Sequence, residues 1–317
     1  MSIMERNKRS WQSIRGFASR VVRRDITESE LGVSLIVPTL LVFAVIVIFP
    51  LLFAIYLGFH SSSGFSMTLE WAGLSNYTRL FSTNDFWVSL KNNVVWAFGT
   101  MFLQLVLGVA IALLLHREFK GRKLFRGAVL FPYMVPTIVA VFNFRWIFNA
   151  TYGVFNYLIV TAGLVEEPIV FFGYEHAMTT AILLGVWRFT PFVVITVLAR
   201  LQTIPPSLYE AAELDGAYKF AKFRYVTLPQ LYNILVIVVL LRSVWMFKKF
   251  APIYLLTGGG PGISTQILPI YAYIEAYQGL NFGYAAAIAN VMFVIMMVAG
   301  FLYLQKFYKQ GGTKNEA

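Results

Sequence analysis

Six long apolar stretches alternate with polar segments along this chain. They fall near residues 31–59, 88–115, 124–148, 177–198, 231–256 and 282–305. Each reaches the roughly 20 residues that a helix needs to cross a bilayer. The pattern predicts an all-α polytopic membrane protein with six transmembrane helices. The remainder divides into a tail at 1–30, a loop at 60–87 after the first span, a core at 88–306 containing a long polar loop at 200–229, and a tail at 307–317.

The positions of the charges predict orientation. Nineteen of the 26 Lys and Arg residues lie in the N-terminal tail, the second-to-third connection, the fourth-to-fifth connection and the C-terminal end. The three alternate loops carry Arg79, with Lys91 just inside the second span. By the positive-inside rule both termini are cytoplasmic and the loop at 60–87 is periplasmic; an even number of spans requires the same. The formal net charge of +11 is thereby a matter of topology, and nucleic acid is not an expected partner. The N-terminus does not read as a cleavable signal peptide, because about thirty polar and charged residues precede an apolar run too long for one. Trp11, Ile14, Ala18, Val21 and Val22 recur at helical spacing among Arg15, Arg20, Arg23 and Arg24. This suits an interfacial helix on anionic lipid or a solvated basic tail.

The longest inner loop reads as two short helices with a corner. Pro205 and Pro206 break the incoming helix, and Ser207 and Glu210 have capping-box spacing. Gly216 can take positive φ and end the first helix. The segment 217–225 restarts a helix, and Pro229 opens the next span with no N–H to lose. Small Ala211 and Ala212 beside a carboxylate leave a notched surface suited to docking on another protein, or an ordinary amphipathic connector.

Composition agrees with lipid as the main solvent. Hydrophobic residues make up 58% of the chain and charged residues 13%, against roughly 25% charged in soluble domains. The 29 Phe, 17 Tyr and 7 Trp suit lipid-facing surfaces and interfacial belts. There is no Cys, and the three His lie in different segments, so no disulfide, thiolate or metal site is expected. No phosphate-binding Gly-x-x-x-x-Gly-Lys-Ser/Thr loop occurs, so any ATP must be used elsewhere.

Glu210-Ala211-Ala212, Asp215-Gly216-Ala217 and Leu228-Pro229 together resemble the EAA loop of ABC importer permeases, at the family's spacing, and the likeness runs from about Asn92 to Tyr303. It implies the type I importer (MetI-like) fold in a bacterial inner membrane. These eight residues would form the coupling segment that docks on an ABC ATPase dimer. A second homologous permease, a solute-binding protein and membrane lipid are the other implied partners. The chain itself would bind no cofactor and carry out no catalysis; ATP and Mg belong to the ATPase. The stretch from Phe247 to Pro261, with Thr265, Tyr271 and the run from Phe282 to Ala289, resembles the sugar-importing branch related to the maltose permease. Two positions depart from that branch: Lys248 stands where it has Asn, and Ala251 where it has Asp.

Cations within spans usually face a bundle interior, a partner or a cavity. Arg145, Arg188, Arg242, Lys248 and Lys249 lie in or beside predicted spans. Arg242 and Lys249, seven apart, share a helix face, with Arg242 near mid-membrane and Lys248 nearer the outside. Arg188, Arg242, Lys248 and Lys249, with Asn143, Trp187 and Trp245, form the expected substrate path. Lys248 would compensate an anionic substrate such as a uronic or sulfonated sugar; alternatively the lysines snorkel to headgroups and the aromatics stack on a neutral sugar. A secondary transporter of small polar solutes is the other class. It would need acidic residues within spans, and only Glu275 is near one. A membrane-embedded enzyme would need a convergent polar set, which the sequence does not offer.

Overall fold

The computed structural model describes residues 28–62 and 68–312, with side chains described for 32–61 and 68–305. The tail residues Trp11 to Arg24 and the charge of Lys314 lie outside the described residues. The chain divides into two compact units, 1–54 and 55–317. In the first, α1 (Glu28–Phe43) continues through a π turn, Ala44–Ile48, into α2 (Phe49–Leu57). Large apolar side chains from Val33 to Phe53 are exposed on all sides, the pattern of a helix whose solvent is lipid. The π turn has a cause in the sequence. Pro50 has no N–H, and its ring clashes with the carbonyl four residues back. The Phe49 N–H instead reaches Ala44 O, five back, which widens the helix so that it runs on through the proline.

The second unit opens with a two-stranded antiparallel hairpin, β1 (His60–Ser62) against β2 (Leu69–Trp71), with His60 opposite Trp71. This is a small departure from an all-α chain. The next helix, α3 (Ser75–Ser82), holds the hairpin: buried Asn76 donates to the carbonyls of Gly58 at 3.0 Å and His60 at 2.9 Å. Then come α4 (Asn84–His116), α5 (Arg122–Met134), α6 (Thr137–Ile147), α7 (Val154–Thr161), α8 (Ala177–Leu201), α9 (Pro206–Leu214) and α10 (Lys219–Lys222). They are followed by α11 (Leu228–Phe247), α12 (Ala251–Thr257), α13 (Leu268–Tyr277) and α14 (Phe282–Gly312).

Among the described residues, five helical stretches are long and apolar enough to cross a membrane, and there are six if the bent pair of α5 and α6 is counted as one span. The expected third span at 124–148 is found as two helices, α5 and α6, with a bend of 95° between them. Pro136 disfavours helical backbone at the residue before it, and Val135 is extended, φ −65° and ψ 129°. The expected fifth span at 231–256 is corrected. It ends at Phe247, and α12 starts at Ala251. Pro252, the second residue of α12, cannot bond the carbonyl of Lys248 and its ring excludes that carbonyl from a helical position.

Breaks in backbone at membrane depth are tolerated only where the freed groups find partners. A polar stripe on α4 supplies them. Ser89, Asn93, Trp96, Thr100, Gln104 and Gly108 recur every three or four residues and are buried. Asn93 donates to Phe247 O at 3.1 Å and accepts from Leu268 N at 3.2 Å, while Trp96 Nε1 donates to Met246 O at 3.0 Å. The stripe thus caps the end of α11 and the start of α13. The seam between α4 and α8 is close: a Cβ on Gly185 would stand 2.6 Å from the Trp96 ring, so only glycine allows this approach.

Candidate functional site

Two constellations can carry function. The first is the polar loop. Pro205, φ −59°, stands before α9, and Pro206 takes the first helical position, where a missing N–H costs nothing. The helix N-terminus carries no side-chain cap, so the expected Ser207–Glu210 capping box is not formed; Ser207 already lies within the helix. The other end follows expectation. Gly216 has φ +75°. Its N–H bonds Glu213 O at 3.0 Å and the Ala217 N–H bonds Ala212 O at 2.8 Å, the two hydrogen bonds of a Schellman cap. Helix α10 begins at Lys219, two residues later than expected. A second π turn, Phe223–Thr227, precedes Pro229, with the Leu228 N–H on Phe223 O. Pro229 is therefore inside a continuous stretch, Lys219–Phe247, rather than at its start, and the π turn accommodates it as the first one does Pro50.

Two side-chain contacts tie α9 to the stretch that follows it: Tyr209 and Thr227 share a hydroxyl hydrogen bond of 3.1 Å, and Lys222 pairs with Glu213. Arg200 of α8 donates to the Gln230 carbonyl of α11 at 3.0 Å beside them. Sequence reasoning passed over Tyr209, Glu213 and Thr227, whose partners lie nine to eighteen residues away. The outward surface is what matters for docking. Glu210, Ala211, Asp215 and Gly216 are exposed, and Ala212 and Ala217 half-buried. Around them Leu214 is 90% exposed, with Tyr218, Phe220 and Tyr225 also open. Apolar side chains and carboxylates are thus exposed side by side around α9.

The second constellation gathers on Phe189 of α8. The Arg188 guanidinium lies 5.5 Å from its ring centroid, the Arg242 guanidinium 5.3 Å and the Lys249 ammonium 4.9 Å. Arg242, on α11, is 2% exposed. Its Nε donates to Gln104 Oε1 at 2.8 Å, and its Nη2 also bonds that oxygen. It further faces the rings of Phe192 and Trp245. Gln104 Nε2 donates to Gly185 O at 3.2 Å, so one amide joins α4, α8 and α11. Arg188 Nη1 donates to Val135 O at the bend between α5 and α6, while its buried Nε has no partner. Exposed Tyr133 of α5 stands edge-on to Phe189, centroids 6.5 Å apart.

Of the expected path residues, Arg188, Arg242, Trp245 and Lys249 thus come together. Arg242 and Lys249 meet at one ring even though the helix that would have aligned them ends at Phe247. Lys248 caps that helix end and is exposed. Trp187 packs on Phe144, centroids 5.6 Å apart, while Asn143 and Arg145 are exposed on α6. Gln104, Tyr133 and Phe189 escaped the sequence reading: an amide, a phenol and a phenyl within apolar runs carry no pattern until their neighbours are known.

The chain is a helical bundle built on membrane-length apolar helices, with an exposed helix in its long polar loop. Residues 104–306 match the family described as binding-protein-dependent transport system inner membrane component, and the chain belongs to that family. It is 35% identical over 279 residues to the trehalose/maltose transport system permease protein MalF of Thermococcus litoralis, covering 88% of this chain and 94% of the relative. It is 34% identical over 283 residues to the sulfoquinovosyl glycerol transport system permease protein SmoG of Agrobacterium fabrum, covering 89% and 91%. Its fold matches a chain of a bacterial ABC transporter involved in the import of the acidic polysaccharide alginate. The TM-score is 0.78 at 22% identity, with 91% of this chain and 98% of that one covered. Family membership replaces the alternative of a self-contained secondary transporter.

Proposed function

We propose that this chain is one permease subunit of a sugar-importing ABC transporter. It pairs with a second, homologous permease to enclose the path. A solute-binding protein delivers a saccharide at the outer face, and an ATPase dimer binds α9 at the inner face and supplies ATP and Mg chemistry. The chain lies in the bacterial inner membrane with both termini cytoplasmic. The observation that carries the reading is α9 itself: an exposed helix bearing Glu210, Ala211 and Ala212. A Schellman turn at Gly216 closes it, the Tyr209–Thr227 bond fixes it to a span, and exposed Leu214 and Tyr218 surround it. A rigid helix tied to a span can pass a push from a docked ATPase into the bundle. The names of the relatives above, both saccharide systems, support sugar as the cargo class.

The test is uptake of a labelled saccharide into proteoliposomes holding this chain with its companion permease, ATPase and binding protein. Uptake is expected only with ATP, Mg and the binding protein present. Glu210→Lys is expected to abolish it while the protein stays in the membrane. Saccharide uptake by this chain alone, without an ATPase, overturns the reading.

A further inference from the structure

Three cations from two helices and a connecting turn meet at one phenyl ring, and among the described residues no acid forms an ion pair with them. Among the described residues the ion pairs are Glu175 with His176 and Glu213 with Lys222; neither involves Arg188, Arg242 or Lys249. The partners those three do have are neutral: Gln104 Oε1, Val135 O and aromatic faces. Cation–π contacts are each worth about 0.5–2 kcal/mol and leave the charge in place. Crowded like charges within a low-dielectric bundle are costly unless countered, and Arg188 Nε is buried with its hydrogen-bond capacity unused.

The arrangement is graded. Arg242 is sealed at 2% exposure and so faces no lipid headgroup. Lys249 and Arg188 are half-buried, and Tyr133 is open beside them. Charge is therefore buried at Arg242 and partly exposed at Arg188 and Lys249. A resident acid would neutralise the site permanently. Among the described residues none pairs with the cluster, which leaves the charge for a ligand that comes and goes.

We propose that this constellation receives the anionic group, a carboxylate or sulfonate, of an acidic saccharide. Lys249 and Arg188 contact the anion, Arg242 adds its field from beneath, and the Tyr133 face and hydroxyl meet the adjoining sugar ring. The inference rests on the sugar-importer reading and names its cargo. It moves the anion-selecting charge from exposed Lys248 to Lys249.

The experiment uses the complete transporter in proteoliposomes with three labelled disaccharides matched except for charge: a glucosyl, a glucuronosyl and a 6-sulfonated glucosyl glucoside. Each is loaded on the binding protein to saturation, so that differences report the membrane subunits. An acidic disaccharide is expected to be carried in preference to the neutral one. Lys249→Gln and Arg188→Gln are each expected to lower acidic transport about tenfold or more relative to neutral transport, a shift in the ratio of the two cargoes, and Lys249→Arg to retain the wild-type ratio. If wild type carries only the neutral disaccharide, the inference falls and the sugar-importer reading stands. The same holds if the charge variants depress both cargoes alike, or depress assembly without changing selectivity, as they would if a partner's acid paired with the cluster. If none of the three is carried while another, non-carbohydrate solute is pumped with ATP, the sugar reading falls too. Wild-type selectivity alone decides between these outcomes should a variant fail to assemble.

Discussion

Gln104 shows how one neutral side chain makes a buried charge tolerable. Its carbonyl oxygen accepts two bonds from Arg242 and its amide donates to the Gly185 carbonyl, so the guanidinium is held where three helices meet. Hydrogen bonds to charged groups contribute about 1.5–3 kcal/mol, and an orphaned buried charge costs more than the bond alone. Gln104→Leu is expected to lower the thermal midpoint of the purified complex by several degrees. Adding Arg242→Leu is expected to restore most of that loss, because removing both partners leaves nothing unsatisfied. Differential scanning calorimetry of the two variants against wild type checks this; a double variant less stable than Gln104→Leu alone sinks the pairing argument. At the same scale, Trp96→Phe keeps most of the ring but removes the donor to Met246 O. It is expected to cost about 1 kcal/mol, measured as a shift in the same unfolding transition.

At the scale of elements, α9 carries a hydrogen-bonded cap at its C-terminal turn and no side-chain cap at its N-terminus. No atom lies within 4 Å of where a Gly216 Cβ would stand, so a substitution there meets backbone strain rather than a clash. At φ +75° that strain is about 1–2 kcal/mol, concentrated where α9 must hold its angle. Gly216→Val is therefore expected to leave the amount of assembled transporter near wild type and to cut uptake per ATP hydrolysed severalfold. Parallel uptake and phosphate-release assays read this; unchanged coupling would show that the turn does not set the helix. Much of this element was legible in the sequence, because Gly216, Pro205 and Pro206 act locally through φ and a missing N–H. The spans were legible for a similar reason, since lipid demands long apolar runs. The breaks at Val135 and after Phe247 were hidden by the same apolarity. Pro136 and Pro252 signalled them, yet whether a proline breaks or is absorbed depends on neighbours. Pro50 and Pro229 are absorbed by π turns, while the α4 stripe caps the backbone freed ahead of Pro252. The cation cluster was half legible. Charges within spans stood out, but their shared contact with Phe189 depends on tertiary packing that helical periodicity could not supply.

At the scale of the whole molecule, orientation follows from charge that the membrane potential and the insertion machinery sort. Arg117, Lys120, Arg122, Lys123 and Arg126 surround the turn from α4 into α5, and Arg200, Lys219, Lys222 and Arg224 surround α9. The segment between α7 and α8 instead carries Glu166, Glu167 and Glu175 with no Lys or Arg. Lys and Arg near helix ends resist translocation, so the first two regions are expected together inside, and the acidic segment outside. With α5 and α6 counted as one bent crossing, the helix order alternates accordingly. The chain contains no Cys, which makes the orientation directly measurable with single introduced thiols. Glu118 and Glu166 are both exposed and lie on opposite sides in this arrangement. Glu166→Cys is expected to react with a membrane-impermeant maleimide in intact spheroplasts, and Glu118→Cys only after permeabilisation or in inverted vesicles. If the bent pair turned back instead of crossing, both thiols would label from the same side, and α9 would then stand on the outer face, where the proposed ATPase could not reach it.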